Sequence, residues 1–169
     1  MPHGYNGQVL RVDLTSGQIA TEKPEENFYR QFFGGEALIG HYLLKELPPG
    51  VEPLSPQNLL LFAAGPLTGV PVGGCGRNGV GARSPLTGAI GHAEVGGYWG
   101  AELKHAGFDA VIFQGKAEKP VYLYVHDGQA ELRDARHLWG KGSYETQQLL
   151  MAEHGPDTRV ACIDRKSVV

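Results

Sequence analysis

Alternation of apolar and polar residues predicts a strand at the start of the chain. Within residues 8–14, leucine and valine alternate with Arg11 and Asp13, and a period of two places the two kinds of side chain on opposite faces of a strand. A turn at residues 15–17 leads to a second short run at residues 19–21. The segment therefore predicts an opening hairpin.

The same patterns divide most of the remaining chain into helices and short strands. Helical spacing and glycine or proline stops predict helices over residues 24–33, 36–47, 98–105 and 143–153. Short apolar or alternating runs predict strands over residues 59–63, 109–113, 121–125, 130–133 and 158–163. Asp127-Gly128 predicts a hairpin turn. The fold class expected is α+β, with a mixed or mainly antiparallel sheet and peripheral helices.

A glycine-rich region, residues 65–100, lies between the strand predicted at residues 59–63 and the elements predicted after it. Twelve glycines fall between Gly65 and Gly100, too many for regular periodicity, so we expect a shaped loop region that leads to a helix start. Pro-Leu-Thr-Gly occurs twice, at residues 66–69 and 85–88. Proline and glycine favour tight turns, so the pair predicts two similar turns that bracket a hairpin containing Arg77 and Val80.

Charge and hydropathy exclude two classes of partner. The net charge is -3 with both signs mixed, and no apolar stretch approaches the ~20 residues that a membrane helix needs. We therefore expect a cytoplasmic protein of one domain that binds neither nucleic acid nor membrane. Cys75 and Cys162 stand alone, so the chain provides no cysteine cluster for iron–sulfur or structural zinc.

Residues 74–79 match the dinucleotide-binding pattern G-x-G-x-x-G, with Glu94 further along. That motif requires a strand before it and a helix after it, and neither is predicted here, so we reject a Rossmann fold. Exposed glycine amides beside Arg77 could instead bind an anion. The alternative is that the glycines only form tight turns and Arg77 is a surface or ion-paired residue.

The other candidates also have two interpretations. Gly96-Gly97 precedes a helix and could present free amides to an anion, or could allow close packing. His92 and Glu94 would share one side of an extended chain, as an acid–base pair or a hydrogen-bonded surface pair. Cys75 could be a reactive thiol or a small half-buried residue.

Six motifs occur in order along the chain: Gly7-Gln-Val-Leu-Arg-Val-Asp-Leu14, Ala64-Gly-Pro-Leu-Thr-Gly69, Ser84-Pro-Leu-Thr-Gly88, Gly96-Gly-Tyr-Trp-Gly-Ala-Glu-Leu-Lys104, Ala106-Gly-Phe-Asp-Ala-Val-Ile112 and Trp139-Gly-Lys-Gly142. Together they resemble the N-terminal domain of the aldehyde ferredoxin oxidoreductase family, and the match runs in order over residues 4 to 163.

The resemblance implies a cofactor and a set of contacts. Sheets and helices would form a base under a tungsten or molybdenum ion held by two pterins. Arg77 and the segment Glu94, Val95, Gly96 and Gly97 would contact one pterin and its phosphate. Some members have asparagine where this chain has Glu94, which makes a contact through magnesium conceivable. No catalytic residue and no metal ligand is assigned within the chain.

The resemblance also implies what lies elsewhere in the family. Residues 164–169 depart from the family pattern, and the C-terminal domains with the [4Fe-4S] cluster and acid–base residues would follow. We expect an N-terminal fragment, inactive alone, of an enzyme that oxidises aldehydes to carboxylic acids and passes electrons to ferredoxin or a partner subunit. The alternative is a stand-alone pterin-binding or assembly module. An apolar face left uncovered would cause self-association.

Overall fold

Residues 4–163, which the computed structural model describes, form eight strands and four helices. The strands are β1 (Val9–Asp13), β2 (Gln18–Glu22), β3 (Leu60–Ala64), β4 (Asn78–Arg83), β5 (Ile90–Val95), β6 (Ala110–Gln114), β7 (Val121–His126) and β8 (Gln129–Asp134). The helices are α1 (Glu26–Phe32), α2 (Gly35–Glu46), α3 (Trp99–His105) and α4 (Ser143–His154).

Six strands form one sheet in the order β2-β1-β6-β3-β4-β5, and β7 and β8 form a separate hairpin. Only the β1–β6 pair is parallel among these described strands, and every other pair is antiparallel. The long connection between β1 and β6 accommodates this parallel pair, because parallel neighbours cannot be joined by a tight turn. The fold is α+β with a mixed sheet and peripheral helices, which confirms the predicted class.

Each face of the six-stranded sheet carries its own core. On one face α1 and α2 cover Val9, Leu61 and Ile112. On the other face α3 and the β7–β8 hairpin cover Leu10 and Val111. A smaller cluster around Leu138 and Leu150 joins α4 to the outer side of that hairpin. The sheet therefore separates an α2 face from an α3 face, and this division decides where the site residues point.

The glycine-rich region contains more regular structure than the sequence predicted. Besides loops, it includes β4 and β5, which pair from Asn78↔Val95 to Arg83↔Ile90. The two Pro-Leu-Thr-Gly turns bracket the single strand β4, not a hairpin, and the second turn joins β4 to β5. Gly69 and Gly88 both have positive φ, which confirms that each sequence forms a glycine-dependent turn.

One predicted strand is wrong. Residues 158–163 are not a strand in the structure, because no described strand lies beside them to complete a ladder; they line a cavity instead. The tail at residues 164–169 lies outside the described residues. No helix within residues 4–163 has the length and apolar character needed to cross a membrane.

Candidate functional site

The glycine-rich loop and the segment after β5 meet at one end of the β4–β5 pair. A Cβ atom added to Gly76 would lie 2.5 Å from the Gly97 carbonyl oxygen, a distance that no side chain tolerates. Gly97 itself has a φ of +104°, which favours glycine. The structure therefore brings together all five residues that the sequence singled out, Arg77 and residues 94–97.

Arg77 and Glu94 form an exposed ion pair. The Arg77 Nη1 atom lies 3.3 Å from Glu94 Oε2, and the two side chains are 68% and 52% exposed. Exposed pairs of this kind contribute little stability because water screens both charges. The Arg77 guanidinium is therefore held loosely. The backbone carbonyl oxygen of Arg77, in contrast, accepts a hydrogen bond from the Thr68 hydroxyl at 2.7 Å.

Gly96 and Gly97 leave backbone donors free. Both residues are exposed, and within residues 4–163 neither amide has a hydrogen-bond acceptor. The following helix α3 begins at Trp99 after Tyr98, which provides no side-chain cap. These amides can donate to an oxygen-rich ligand without first breaking a protein hydrogen bond.

A cavity of about 400 Å³ adjoins this strand end on the α3 face. Its walls include the aromatic side chains of Phe62, Tyr98 and Trp99. The polar residues in the wall are Asn78, Ser143, Gln147 and Arg159. Of the predicted site residues, Val95 and Gly96 line the cavity.

Arg77 and Glu94 lie on the other face of the strand pair from this cavity. Asn78 and Val95 are direct partners, so both side chains point to the α3 face, and Glu94 alternates to the α2 face. Neither Arg77, Glu94 nor Gly97 is among the residues that form the cavity wall. The predicted residues therefore share one strand end without sharing one cavity.

Sequence reasoning did not find Asn78, the most buried polar residue of the cavity wall. Asn78 is 3% exposed, and neither Nδ2 nor Oδ1 has a hydrogen-bond partner among residues 4–163. Buried carboxamides are normally bonded, so such a pair of free atoms requires an explanation. The available signal was an asparagine at the start of a strand, where this residue type is disfavoured.

Arg159 is the cationic group of the same wall. Its Nε atom is buried without a partner in the described part of the chain, and its guanidinium carbon lies 5.3 Å from the centre of the Tyr98 ring. Nη1 donates at 3.4 Å to the carbonyl oxygen of Pro156. Arginine stacked on an aromatic ring is well suited to bind planar or anionic groups.

Of the remaining candidates, His92 and Cys75 lie apart from the cavity, whereas Cys162 is part of its wall. His92 and Glu94 occupy one side of β5, as expected, but His92 packs towards α2 with Nδ1 3.9 Å from Glu36, whereas Glu94 pairs with Arg77. Cys75 is half-buried and Cys162 is exposed, and the two form no disulfide in the described part of the chain. The Cys75 carbonyl accepts a hydrogen bond from the Gly69 amide at 2.8 Å, which closes the loop after β3.

Comparison with known proteins identifies similar chains. A family model described as "Aldehyde ferredoxin oxidoreductase, N-terminal domain" matches residues 9–167. The tungsten-containing aldehyde ferredoxin oxidoreductase of Pyrococcus furiosus is 48% identical over 155 residues, 92% of this chain and 26% of the relative. The enzyme of the same name from Pyrococcus abyssi is 51% identical over 152 residues, 90% of this chain and 25% of the relative.

A solved structure shows the same fold. In the active site complex BamBC of benzoyl coenzyme A reductase, one chain superposes with a TM-score of 0.87 and is 43% identical. The superposition covers 90% of this chain and 23% of that one. This chain thus spans about a quarter of the length of the relatives that it matches.

Proposed function

Because the chain belongs to the aldehyde ferredoxin oxidoreductase family as its N-terminal domain, we propose that it supports a tungsten bis-pterin cofactor in an enzyme that oxidises aldehydes to carboxylic acids. When bound, that cofactor supplies the two-electron oxidation, and an iron–sulfur cluster outside this domain passes the electrons to ferredoxin or a partner subunit. The residues of this chain bind and orient the cofactor.

The observation that carries the proposal is that free glycine amides, a loosely held guanidinium and a cavity with aromatic walls all lie at one end of the β4–β5 pair, the guanidinium on the α2 face and the cavity on the α3 face. Phe62 and Trp99 pack against each other in the cavity wall, with ring centres 5.1 Å apart and planes tilted by 53°, and ligand pockets are commonly lined by aromatic side chains. Gly96 and Gly97 provide donors, and Arg77 provides a charge that suits phosphate. The residues present therefore fit a phosphorylated pterin.

Each predicted residue receives a role in this proposal. Arg77 exchanges its weak ion pair with Glu94 for a phosphate oxygen, and the Gly96 and Gly97 amides donate to other phosphate oxygens. Val95 contributes apolar wall beside the ring. Glu94, released from Arg77, holds the phosphate through magnesium, because carboxylate oxygens are ligands that this ion prefers. Molybdenum could replace tungsten without any change in these roles.

The relatives support cofactor binding, and not substrate choice, as the role of this domain. The Pyrococcus proteins are named for aldehydes, while the solved structure is a benzoyl coenzyme A reductase bound to a dienoyl-CoA. A domain that stays this similar across two such reactions serves what they share. We therefore propose that aldehyde recognition and proton transfer belong to other domains of the whole enzyme.

A binding experiment tests the proposal. The purified chain is titrated with neopterin 3′-phosphate, a fluorescent pterin, and we expect saturable binding without aldehyde-dependent dye reduction. Arg77→Ala should weaken binding about 10- to 100-fold, the range for losing a hydrogen bond to a charged group. Arg30→Ala, which removes a similarly exposed arginine paired with Glu26, is the matched control. Equal binding by both variants would refute the phosphate role of Arg77.

A further inference from the structure

The repeated sequence Pro-Leu-Thr-Gly forms two turns whose threonines lie in different surroundings. Both turns end on a glycine with positive φ, +89° at Gly69 and +69° at Gly88. Thr68, in the first turn, is 7% exposed, whereas Thr87, at the same position of the second turn, is exposed. The shared sequence accounts for the shared turn. It does not account for the burial of only one of the two hydroxyl groups.

Thr87 has a local role. Its hydroxyl accepts a hydrogen bond from the amide of Ala89 at 3.3 Å, two residues further along the chain, which is a frequent arrangement of threonine in turns. A Cβ atom added to Gly88 would meet nothing within 4 Å beyond its two chain neighbours. The second turn therefore shows what this sequence does when no other element of the described chain packs against it.

Thr68 instead connects two segments of the chain. Its hydroxyl accepts from the amide of Gly65 at 2.9 Å and donates to the backbone carbonyl oxygen of Arg77 at 2.7 Å. A threonine hydroxyl has one proton to donate, and Thr68 uses it on Arg77. Next to this bond, the Gly69 amide donates to the Cys75 carbonyl oxygen at 2.8 Å. The two bonds close the base of the loop between β3 and β4, and Arg77 is the last residue before β4.

Helix α3 anchors the first turn. A Cβ atom added to Gly69 would lie 3.4 Å from Ala101 Cα, so the turn packs closely against the helix. The Lys104 ammonium of the same helix donates to the Gly65 carbonyl oxygen at 3.2 Å. The threonine hydroxyl thus attaches the backbone of Arg77 to a turn that is itself held by α3.

This attachment fixes the backbone of Arg77 and leaves its side chain free to move. The guanidinium is 68% exposed, and its contact with Glu94 at 3.3 Å contributes little stability. A ligand that binds a mobile group must order that group, and the free-energy cost is smaller when the backbone that carries it is already ordered. A fixed backbone therefore raises the affinity of the guanidinium for an anion, although the threonine does not touch the anion.

We propose that Thr68 is a positioning residue for Arg77, and that its buried hydroxyl holds the Arg77 backbone where the guanidinium reaches the phosphate of the bound pterin. This inference rests on the proposed function, since it concerns how the phosphate-binding arginine of that site is presented. Thr68 acts through Arg77 and makes no contact with the cofactor. Thr87 has the same sequence around it and no such role.

The test compares Thr68→Val with Thr87→Val in the 169-residue chain. Valine has the shape of threonine without its hydroxyl. Thr68→Val should weaken binding of neopterin 3′-phosphate about 3- to 10-fold, the range for one neutral hydrogen bond, and Thr87→Val should leave binding unchanged. Thr68→Ser retains the hydroxyl and should bind within about 2-fold of the wild-type chain. Thr68→Ala takes the place of the valine variant if that variant does not fold.

A second probe separates positioning from general support of the fold. Neopterin has the same ring without the phosphate, so Thr68→Val should bind it as the wild-type chain does, whereas damage to the fold would weaken binding of both probes. Equal weakening for both probes, unchanged binding of the phosphate by Thr68→Val, or failure of Thr68→Ser to restore it would each refute this inference while the proposed function stands. Absence of binding by the wild-type chain would overturn both.

Discussion

At the scale of single residues, Asp109 shows how one carboxylate fixes the start of the chain. Asp109 is 2% exposed, and its oxygens accept hydrogen bonds from the amides of Asn6 at 2.9 Å and Gly7 at 2.7 Å. The ammonium of Lys104 lies 3.8 Å away, and burial lowers the pKa of that lysine. Lys104 also donates to the Gly65 carbonyl oxygen at 3.2 Å, which ties the turn after β3 to α3.

We expect Asp109→Ala to lower the free energy of unfolding by about 3–5 kcal/mol, because it leaves a buried ammonium without its counter-charge and several amides without their acceptor. Urea unfolding at neutral pH measures this change. The exposed Asp157→Ala variant is the control and should leave the urea midpoint unchanged. A loss below about 1 kcal/mol for Asp109→Ala would show that the Asp109 carboxylate does not fix the start of the chain.

The candidate site could be predicted from sequence only in part, and the reason lies at this scale. The family resemblance, and not the glycine pattern, assigned Arg77 and Gly97 to one ligand; the structure brings the two segments together where Gly76 contacts Gly97, and the ligand stays a prediction. The face on which each side chain lies depends on strand register, which a glycine-rich sequence specifies weakly. Asn78 was therefore missed, although it is the neighbour of Arg77.

At the scale of elements, α2 is attached to the first hairpin by a cluster of charged side chains. Arg11 of β1 donates to Glu46 Oε2 at 2.7 Å and to Glu22 Oε2 at 2.9 Å. The Tyr42 hydroxyl donates to Glu22 Oε1 at 3.0 Å. Hydrogen bonding to Arg11 holds the pKa of the Glu46 carboxyl below its ordinary value of 4.5. The cluster thus links helix and sheet in a pH-dependent way.

The sign of that dependence follows from the lowered pKa of Glu46. Its ionised form stabilises the fold above about pH 4.5, and this contribution is lost as the pH falls through the folded-state pKa. Glu46→Gln should therefore lower the free energy of unfolding by up to about 1 kcal/mol at pH 7, and by less as the pH falls to 3. Urea unfolding across this range, with the exposed Glu118→Gln as control, measures it. A deficit that is constant with pH would contradict it.

Elements with strong periodicity were predicted, and those without it were not. The β1–β2 and β7–β8 hairpins and the four helices follow from alternation, turn residues and helical spacing. β4 was not predicted because glycines occupy its α2 face, where a Cβ atom on Gly81 would lie 2.5 Å from Ile39 Cγ2. Close packing of α2 thus removes the hydrophobic signal that normally reveals a strand. Residues 158–163 carry that signal without a neighbouring strand to pair with.

At the scale of the whole molecule, several exposed apolar side chains adjoin the candidate site. Leu67 and Val72 in the loop after β3, and Tyr98 before α3, are 66%, 66% and 71% exposed. The Gly76–Gly97 contact brings this loop and the start of α3 together. The relatives are about four times longer than the segment they share with this chain.

We expect the 169-residue chain to associate with itself through this surface, since burying apolar area is favourable at about 25 cal/mol per Å². Sedimentation velocity should show a weight-average mass that rises with concentration. The double variant Val72→Ser, Tyr98→Ser should shift this rise to higher concentration. Leu44→Ser with Leu54→Ser changes two residues that are more exposed, at 79% and 81%, but lie on α2 and in the turn before β3, and it should leave association unchanged. A monomer at every concentration would show that this surface is too small or too interrupted to hold two copies together.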